Sequence, residues 1–335
     1  NGLDSMIISR TPFRISFFGG GTDYPQWYRE NGGSVISATI NKYSFITARH
    51  LPPFFDYRYR IRYYETEETS TVEEIRHPSA RECLKLFDSE NGLEIVHHAD
   101  LPARSGLGSS STFTVGLLNA LAGLENQMVS KKELALRAIH VEQDLIGEAV
   151  GSQDQTAAAF GGFNRINFRG DHDITVTPIL MAPERRQSLE DHLMLVFTGF
   201  ARCAPDIAAD QINQMGKKHK EHAQIQALAE DAFQLFTGEG DMVVEFGRLL
   251  HQQWMIKREI TSRIANASID EIYETGRRAG AIGGKLLGAG GGGFMAFVVK
   301  PEDQPNVRHE LEKLLHVPFR FESSGSQIVY YANHS

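Results

Sequence analysis

Residues Pro102-Ala103-Arg104-Ser105-Gly106-Leu107-Gly108-Ser109-Ser110-Ser111 run straight into Thr112–Leu124, a small and apolar segment with the composition of a buried helix. Glycines let a backbone adopt positive φ and come close to a ligand. The helix start that follows offers unpaired N–H groups and the positive end of a dipole, which together make an anion site. The hydroxyls of Ser109, Ser110 and Ser111 can bond phosphate oxygens or give a hard oxygen to a cation. A serine-rich N-cap on a core helix is the plain alternative. The stretch is not a Walker A loop, since no Gly-Lys-Ser/Thr follows, and its glycine spacing differs from the dinucleotide fingerprint.

Two other glycine clusters bear on the choice. Upstream, Pro12-Phe13-Arg14-Ile15-Ser16 leads into Phe18-Gly19-Gly20-Gly21-Thr22-Asp23. Downstream, Lys285-Leu286-Leu287 leads into Gly288-Ala289-Gly290-Gly291-Gly292-Gly293-Phe294. Glycine runs are entropically costly inside packed segments. Three of them, each flanked by strand or helix signals, are poorly explained as flexible turns.

Between the clusters the chain alternates strand and helix patterns. Strands are expected at Ile7–Ser16, Ser34–His50, Arg58–Tyr64, Glu94–Asp100, Gly161–Phe168, Ile174–Ile179, Leu193–Thr198 and Phe294–Val299, closed by Phe319–Phe321 and Ile328–Tyr331. Helices are expected at Lys131–Gly147, with Ser130 as N-cap and Glu133 in the capping-box position, and then at Pro205–Phe236, Asp241–Ile256, Ser268–Ala279 and Pro305–Leu315. The balance shifts from strands to helices near residues 180–200, which divides the chain into 6–185 and 186–335. The fold class is α+β rather than regularly alternating βαβ.

The chain of 335 residues is 41% hydrophobic and 23% charged, with a formal net charge of −8. That balance argues against nucleic acid or an anionic membrane as partner, since both favour a basic face. Cys83 and Cys203 are the only cysteines. Such usage suits the reducing cytoplasm and provides no disulfide framework. No window has the run of about 18 apolar residues that a membrane helix needs. Asn1–Ser5 has no basic segment followed by an apolar stretch, so no signal peptide is expected there. Oligomeric state is open.

The three clusters, in this order and at these distances, resemble the three motifs of the GHMP kinases, named for galactokinase, homoserine, mevalonate and phosphomevalonate kinases. The resemblance covers Ile7 to Tyr331 and is most specific in Pro-x₃-Gly-Leu-Gly-Ser-Ser-Ser. It implies the two-domain GHMP kinase fold: an N-terminal domain like the second domain of ribosomal protein S5 and a ferredoxin-like C-terminal domain. It also implies an ATP-dependent phosphotransferase acting on an alcohol, with ATP and Mg²⁺ as cofactors. Gly106, Leu107, Gly108, Ser109, Ser110 and Ser111 then cradle the ATP phosphates, and Ser110 and Glu142 hold the metal. Asp154, twelve residues beyond Glu142, is the catalytic base or an orienting charge, and Arg14 stabilises charge in the transition state. Gly20, Gly21, Thr22, Asp23, Gly290 and Gly291 bind the acceptor, with Lys285 a further contact. From the residues alone, Glu142 is a solvated helix charge and Asp154 a helix-capping aspartate. His97, His98 and His140 have no partner spacing and are read as structural.

Within the family, the form Gly-Gly-Gly-Thr-Asp at 19–23, with Ile40-Asn41-Lys42-Tyr43 and Ser324-Gly325-Ser326-Gln327, resembles the heptose 7-phosphate and fucose branch rather than galactokinase. It implies phosphorylation of the anomeric hydroxyl of D-glycero-D-manno-heptose 7-phosphate, for surface polysaccharide. The alternatives are a kinase of an unphosphorylated sugar, such as fucose, and a non-catalytic sugar sensor on the same fold. A phosphorylated acceptor needs a second anion site. Arg58, Arg60 and Arg62, on one face of a strand, with Lys42, Arg49 and Arg104, are candidates. An ordinary solvent-facing strand is the plain account of that arginine alternation.

Overall fold

The computed structural model describes residues 5–87, 92–200, 204–238 and 240–332; residues 1–4 and Cys203 lie outside them. The chain opens with β1 (Met6–Phe18), α1 (Pro25–Asn31), β2 (Gly33–His50), β3 (Tyr59–Arg62), β4 (Thr66–Thr69), α2 (Pro78–Lys85) and β5 (Leu93–Ala99). Helices α3 (Ser109–Leu124) and α4 (Lys131–His140) follow, then a π-helical turn over Val141–Leu145, α5 (Gln153–Phe160), β6 (Phe163–Phe168) and β7 (Ile174–Pro178). Next come α6 (Pro183–His192), β8 (Leu193–Phe197), α7 (Ala204–Gln214), α8 (His219–Thr237), α9 (Met242–Lys257) and α10 (Ala267–Arg278). The chain closes with β9 (Ala281–Leu286), β10 (Phe294–Val299), α11 (Gln304–Glu310), β11 (Leu315–His316) and β12 (Gln327–Ala332).

Two sheets organise these elements. Eight strands form the first, in the path β12-β1-β2-β5-β3-β4, with β6 on β2 and β7 on β6. Strand β2 is long enough to serve two neighbours: Gly33–Ala38 pairs with β6, and Ser44–His50 pairs with β5. The second sheet is antiparallel, β11-β8-β10-β9. The expected division at 185/186 falls inside the first turn of α6, and β12 returns to pair with β1 in the first sheet.

Three expected helices differ from those observed; Pro305–Leu315 is helical only to Glu310, and Leu315 belongs to β11. Lys131–Gly147 is α-helical only to His140, after which the π turn changes the side-chain phase. Pro205–Phe236 is two helices, broken by a turn over residues 215–218 that contains Gly216. Glycine costs an uninterrupted helix about 1 kcal/mol relative to alanine. The short helices α1, α2 and α6 each carry proline in the first turn, which suits a helix start.

One apolar cluster joins the sheets. Phe13, Ile15, Phe17 and Phe18 of β1 pack with Phe246 and Leu250 of α9 and Phe294, Ala296 and Val298 of β10. The rings of Phe17 and Phe18 each meet Phe246 edge-on at 5.2 Å. Each fully buried phenylalanine contributes about 1.5–3 kcal/mol of transfer free energy. This junction holds the end of β1, and thus the first glycine cluster, against α9.

Candidate active site

Helix α3 begins without a side-chain cap. Its N-cap is Gly108, in the left-handed region at φ 77°, and no side-chain cap bonds the first-turn N–H groups. The serines therefore do not act as the plain N-cap, and the leading N–H groups are left for a ligand. Ser109 and Ser110 line a cleft of about 940 Å³. Leu107 is fully buried in the core. Ser111 turns inward, its hydroxyl donating to Glu142 Oε2 at 2.9 Å.

The three glycine clusters converge on this point. A Cβ on Gly106 would lie 2.3 Å from the Leu287 carbonyl oxygen, and one on Gly288 would lie 2.6 Å from Gly106 Cα. Phe294 N–H donates to Ser105 O at 3.0 Å, stitching the Ser105–Gly108 loop to the third cluster. From the other side, Arg14 N–H donates to Leu107 O at 3.2 Å.

Arg14 and Asp154 form the central ion pair. Arg14 Nε donates to Asp154 Oδ1 at 2.7 Å, and its Nη2 lies 2.6 Å from the same oxygen. The guanidinium also donates to Gly106 O at 2.9 Å. The pair stands directly beside the loop: a Cβ on Gly108 would lie 3.5 Å from both Arg14 Cγ and the Asp154 carboxyl. Asp154 sits in the first turn of α5, whose N-cap, Ser152, makes no side-chain cap bond. Its carboxylate bonds Arg14 rather than capping the helix, and the helix dipole favours negative charge there.

A second carboxylate in the cleft, Asp23, is held by the backbone of its neighbours. Asp23 Oδ1 accepts from Gly21 N–H at 3.0 Å, and Oδ2 accepts from Gln153 N–H at 3.3 Å. Burial, then the Asp154 charge, raises the Asp23 pKa against these two bonds. Gly20, Gly21 and Asp23 line the cleft, as do Ser16, Glu148, Gln153 and Lys257. Ser16 Oγ and Gln153 Oε1 are buried with no partner, so both are open to an acceptor hydroxyl. Burial also raises the Glu148 pKa.

Other expected contacts lie elsewhere. Thr22 is fully buried, its hydroxyl donating to Gly19 O at 2.8 Å. It closes the turn and does not line the cleft. Gly290 and Gly291 pack against Ile264, whose carbonyl accepts Gly291 N–H at 2.9 Å; Gly288 and Ala289 line the cleft instead. Lys285, by contrast, does line the cleft, and its Nζ donates to Ser16 O at 2.8 Å, tying the third cluster to the end of β1. His97 and His98 also line the cleft, and burial brings the His97 pKa down to about 4, so it is neutral.

Glu142 is fully buried on the π turn, a feature frequent at functional sites. Burial pushes its pKa up to about 7, against bonds from Thr114, Ser111 and Gln155. Its Oε1 has no partner. It is not a solvated helix charge. Of the arginine face, Arg60 bonds Glu68 at 3.0 Å and Glu94 at 3.3 Å, and Arg49 lies 2.6 Å from Glu94. Arg58, Arg60, Arg62, Arg49 and Lys42 are absent from the cleft lining, whereas Arg104 is part of it.

Two residues of α9 escaped the sequence reading. Gln253 accepts from Gly19 N–H at 2.8 Å and donates to Phe17 O at 2.6 Å, and Lys257 Nζ donates to Gly288 O at 2.7 Å. They extend the buried stripe that Phe246 and Leu250 begin. A polar residue in phase with an apolar stripe is the signal that marks them.

The family patterns "GHMP kinases N terminal domain" and "GHMP kinases C terminal" match residues 76–162 and 241–317. The D-glycero-alpha-D-manno-heptose 7-phosphate kinase of Campylobacter jejuni is 31% identical over 319 residues, which span 92% of this chain and 93% of that one. This chain belongs to the GHMP kinase family. A bifunctional fucokinase/GDP-fucose pyrophosphorylase of Arabidopsis thaliana is 26% identical over 328 residues, 90% of this GHMP kinase but 31% of the longer relative. The crystal structure of a D-glycero-D-manno-heptose 1-phosphate kinase from Bacteroides thetaiotaomicron superposes with a TM-score of 0.76 at 26% identity, covering 97% of this chain and 99% of that one. The architecture is the two-domain α+β GHMP kinase fold, and the protein is an ATP-dependent sugar kinase, a phosphotransferase with an alcohol group as acceptor. Among the described residues, no helix is long and apolar enough to cross a membrane.

Gly151 lies against Asp23, and a Cβ there would stand 1.9 Å from Asp23 Oδ2. Gly151→Ala is expected to raise the sugar KM at least tenfold and leave the ATP KM within about twofold, since one displaced carboxylate hydrogen bond costs about 1.5–3 kcal/mol. Steady-state kinetics with each substrate varied checks this. An unchanged sugar KM would remove Asp23 from acceptor binding.

Proposed function

We propose that this kinase transfers the γ-phosphoryl group of ATP to the anomeric hydroxyl of D-glycero-D-manno-heptose 7-phosphate, giving the 1,7-bisphosphate used for surface polysaccharide. The observation that carries the choice of reaction centre is the Arg14–Asp154 pair, held beside the Gly106–Gly108 loop. The identity to the Campylobacter jejuni kinase over nearly its whole length supports the acceptor.

In the reaction, the sugar oxygen bonds to the γ-phosphorus as the bond to the bridging oxygen of ADP breaks. Asp154 takes the hydroxyl proton and returns it to solvent. Arg14 orients that carboxylate through Nε and Nη2 and adds positive charge next to the transferred group. The first turn of α3 binds phosphate oxygens through its free N–H groups. Gly20, Gly21 and Asp23 orient the acceptor, with the unpaired Ser16 and Gln153 atoms as further hydroxyl partners.

Glu142 and Ser110 are the residues that would hold a divalent cation. Glu142 has a buried, unpaired oxygen, and its bond from Ser111 ties it to the first turn of α3, where Ser110 is exposed. Mg²⁺ held there would neutralise phosphate charge, with its other ligands drawn from ATP and water. Among the described residues no group of three or more His, Cys, Asp or Glu side chains could hold a metal.

Turnover with heptose 7-phosphate and with fucose, each with ATP, tests the acceptor. The expected result is a kcat/KM for heptose 7-phosphate at least 10²-fold higher, the scale on which a site with paired polar groups rejects the wrong substrate. Preference for fucose would overturn the heptose assignment and favour the unphosphorylated sugar.

A further inference from the structure

Glycine loops have no side chains with which to hold one another, and here three buried cations bond carbonyls on the loops or on the strand that leads into one. Arg14 donates to Gly106 O, Lys285 to Ser16 O and Lys257 to Gly288 O. Lys257 and Lys285 both line the cleft, but Lys285 spends two of its three donors on Ser16 O and Phe17 O, whereas Lys257 spends one, on the glycine loop. It is the last residue of α9, only 6% exposed, and Gly288 is the residue whose backbone abuts Gly106.

We propose that Lys257 is a positioning residue for phosphoryl transfer, its ammonium locking the third glycine loop onto the phosphate loop at the Gly288–Gly106 contact and supplying positive charge at the acceptor end. The proposal rests on the assignment of Arg14–Asp154 as the reaction centre. The charged groups that face Lys257 come from every side of the site. Asp23 and Asp154 favour its charge, and Arg14 opposes it. Lys285 and His222 each also interact with it electrostatically. Burial outweighs these and brings its pKa down to about 8.

The sign of the pH effect follows. As pH rises through about 8 the ammonium loses its charge; the amine can still donate to Gly288 O but no longer balances Asp23 and Asp154. Activity should therefore fall on the alkaline side. Stability moves the other way for this group: a lysine whose folded pKa is below its unfolded value makes folding more favourable as pH rises between the two. Loss of rate without loss of fold separates the two effects.

The test uses the full-length enzyme and its Lys257→Met and Lys257→Arg variants. Profiles of kcat and both KM values are measured from pH 6.5 to 10, with Tm at each pH. Lys257→Met is expected to lower kcat at pH 7 about 10²-fold, the scale of a misplaced reacting group, and to lose the alkaline limb near pH 8. Lys257→Arg should restore most of kcat and hold it flat past pH 9, because a guanidinium stays charged. A Lys257→Met enzyme with wild-type kcat and limb overturns the proposal. So does a Lys257→Arg enzyme whose limb remains near pH 8, which also decides the matter should the methionine variant fail to fold. Asp154→Asn in parallel tells the two readings apart: if it too is unimpaired, the reaction centre has been misplaced, and if it alone is impaired, only the role of Lys257 fails.

Discussion

Asp154→Asn is expected to lower kcat by about 10²–10⁴-fold, the contribution typical of a positioned general base, with the ATP KM little changed. The substitution keeps the size of the side chain and an oxygen that can still accept from Arg14 Nε, now 2.7 Å away. The buried guanidinium keeps its bond to Gly106 O, so the phosphate loop should stay in place. The variant should stay folded with a lowered Tm, because the buried Arg14 loses its counter-charge while keeping its bonds to the Asn oxygen and Gly106 O. Single-turnover rates of ADP formation, with heptose 7-phosphate as acceptor, separate the chemical step from product release. Retention of full activity would remove Asp154 as the base while leaving the protein a kinase.

Gly106→Ala is the second large effect. Gly106 has φ 80°, and an added Cβ would meet the Leu287 carbonyl oxygen at 2.3 Å and Gly288 N at 3.2 Å. Neither obstacle is a side-chain end that can swing aside. The left-handed conformation alone costs alanine about 1–2 kcal/mol. The collision adds to that and pushes the phosphate loop off the third glycine cluster. The expected outcome is a lower Tm together with ATP affinity weakened at least tenfold. Gly147→Ala is the control: its φ is 77°, yet nothing lies within 4 Å of the added Cβ. That variant should show the backbone cost only, with ATP affinity unchanged. Calorimetric titration with ATP and thermal melts distinguish the two. Equal ATP affinity in both variants would show that the Gly106–Gly288 contact does not set the nucleotide site.

Much of the scaffold was legible because local patterns agreed with the final fold. Strand Phe294–Val299 is read and observed with the same bounds, and the helix after Gly108 begins three residues before the apolar segment suggests. The helix before Glu142 was misread at its end, since nothing in Val141–Leu145 announces an extra residue per turn. Thr22 shows the limit for site residues. A threonine beside glycines and an aspartate reads as a substrate contact, and only the packing of Ser34 against Gly19 shows that its hydroxyl is used up within the turn. Lys257 shows the converse, since it carries no motif and gains its place from the docking of α9.

Residues 102–111, with the clusters at 19–23 and 288–293, were enough to define the family and the chemical class, because close backbone approach at three points demands glycine and glycine is visible in a sequence. Which of those residues face the cleft depends on contacts between segments 140 to 270 positions apart, such as Arg14 with Asp154 and Lys285 with Ser16. A side chain's direction at such a contact is set by how the two sheets pack around Phe17, Phe18 and Phe246, and that arrangement exists only once the chain has folded.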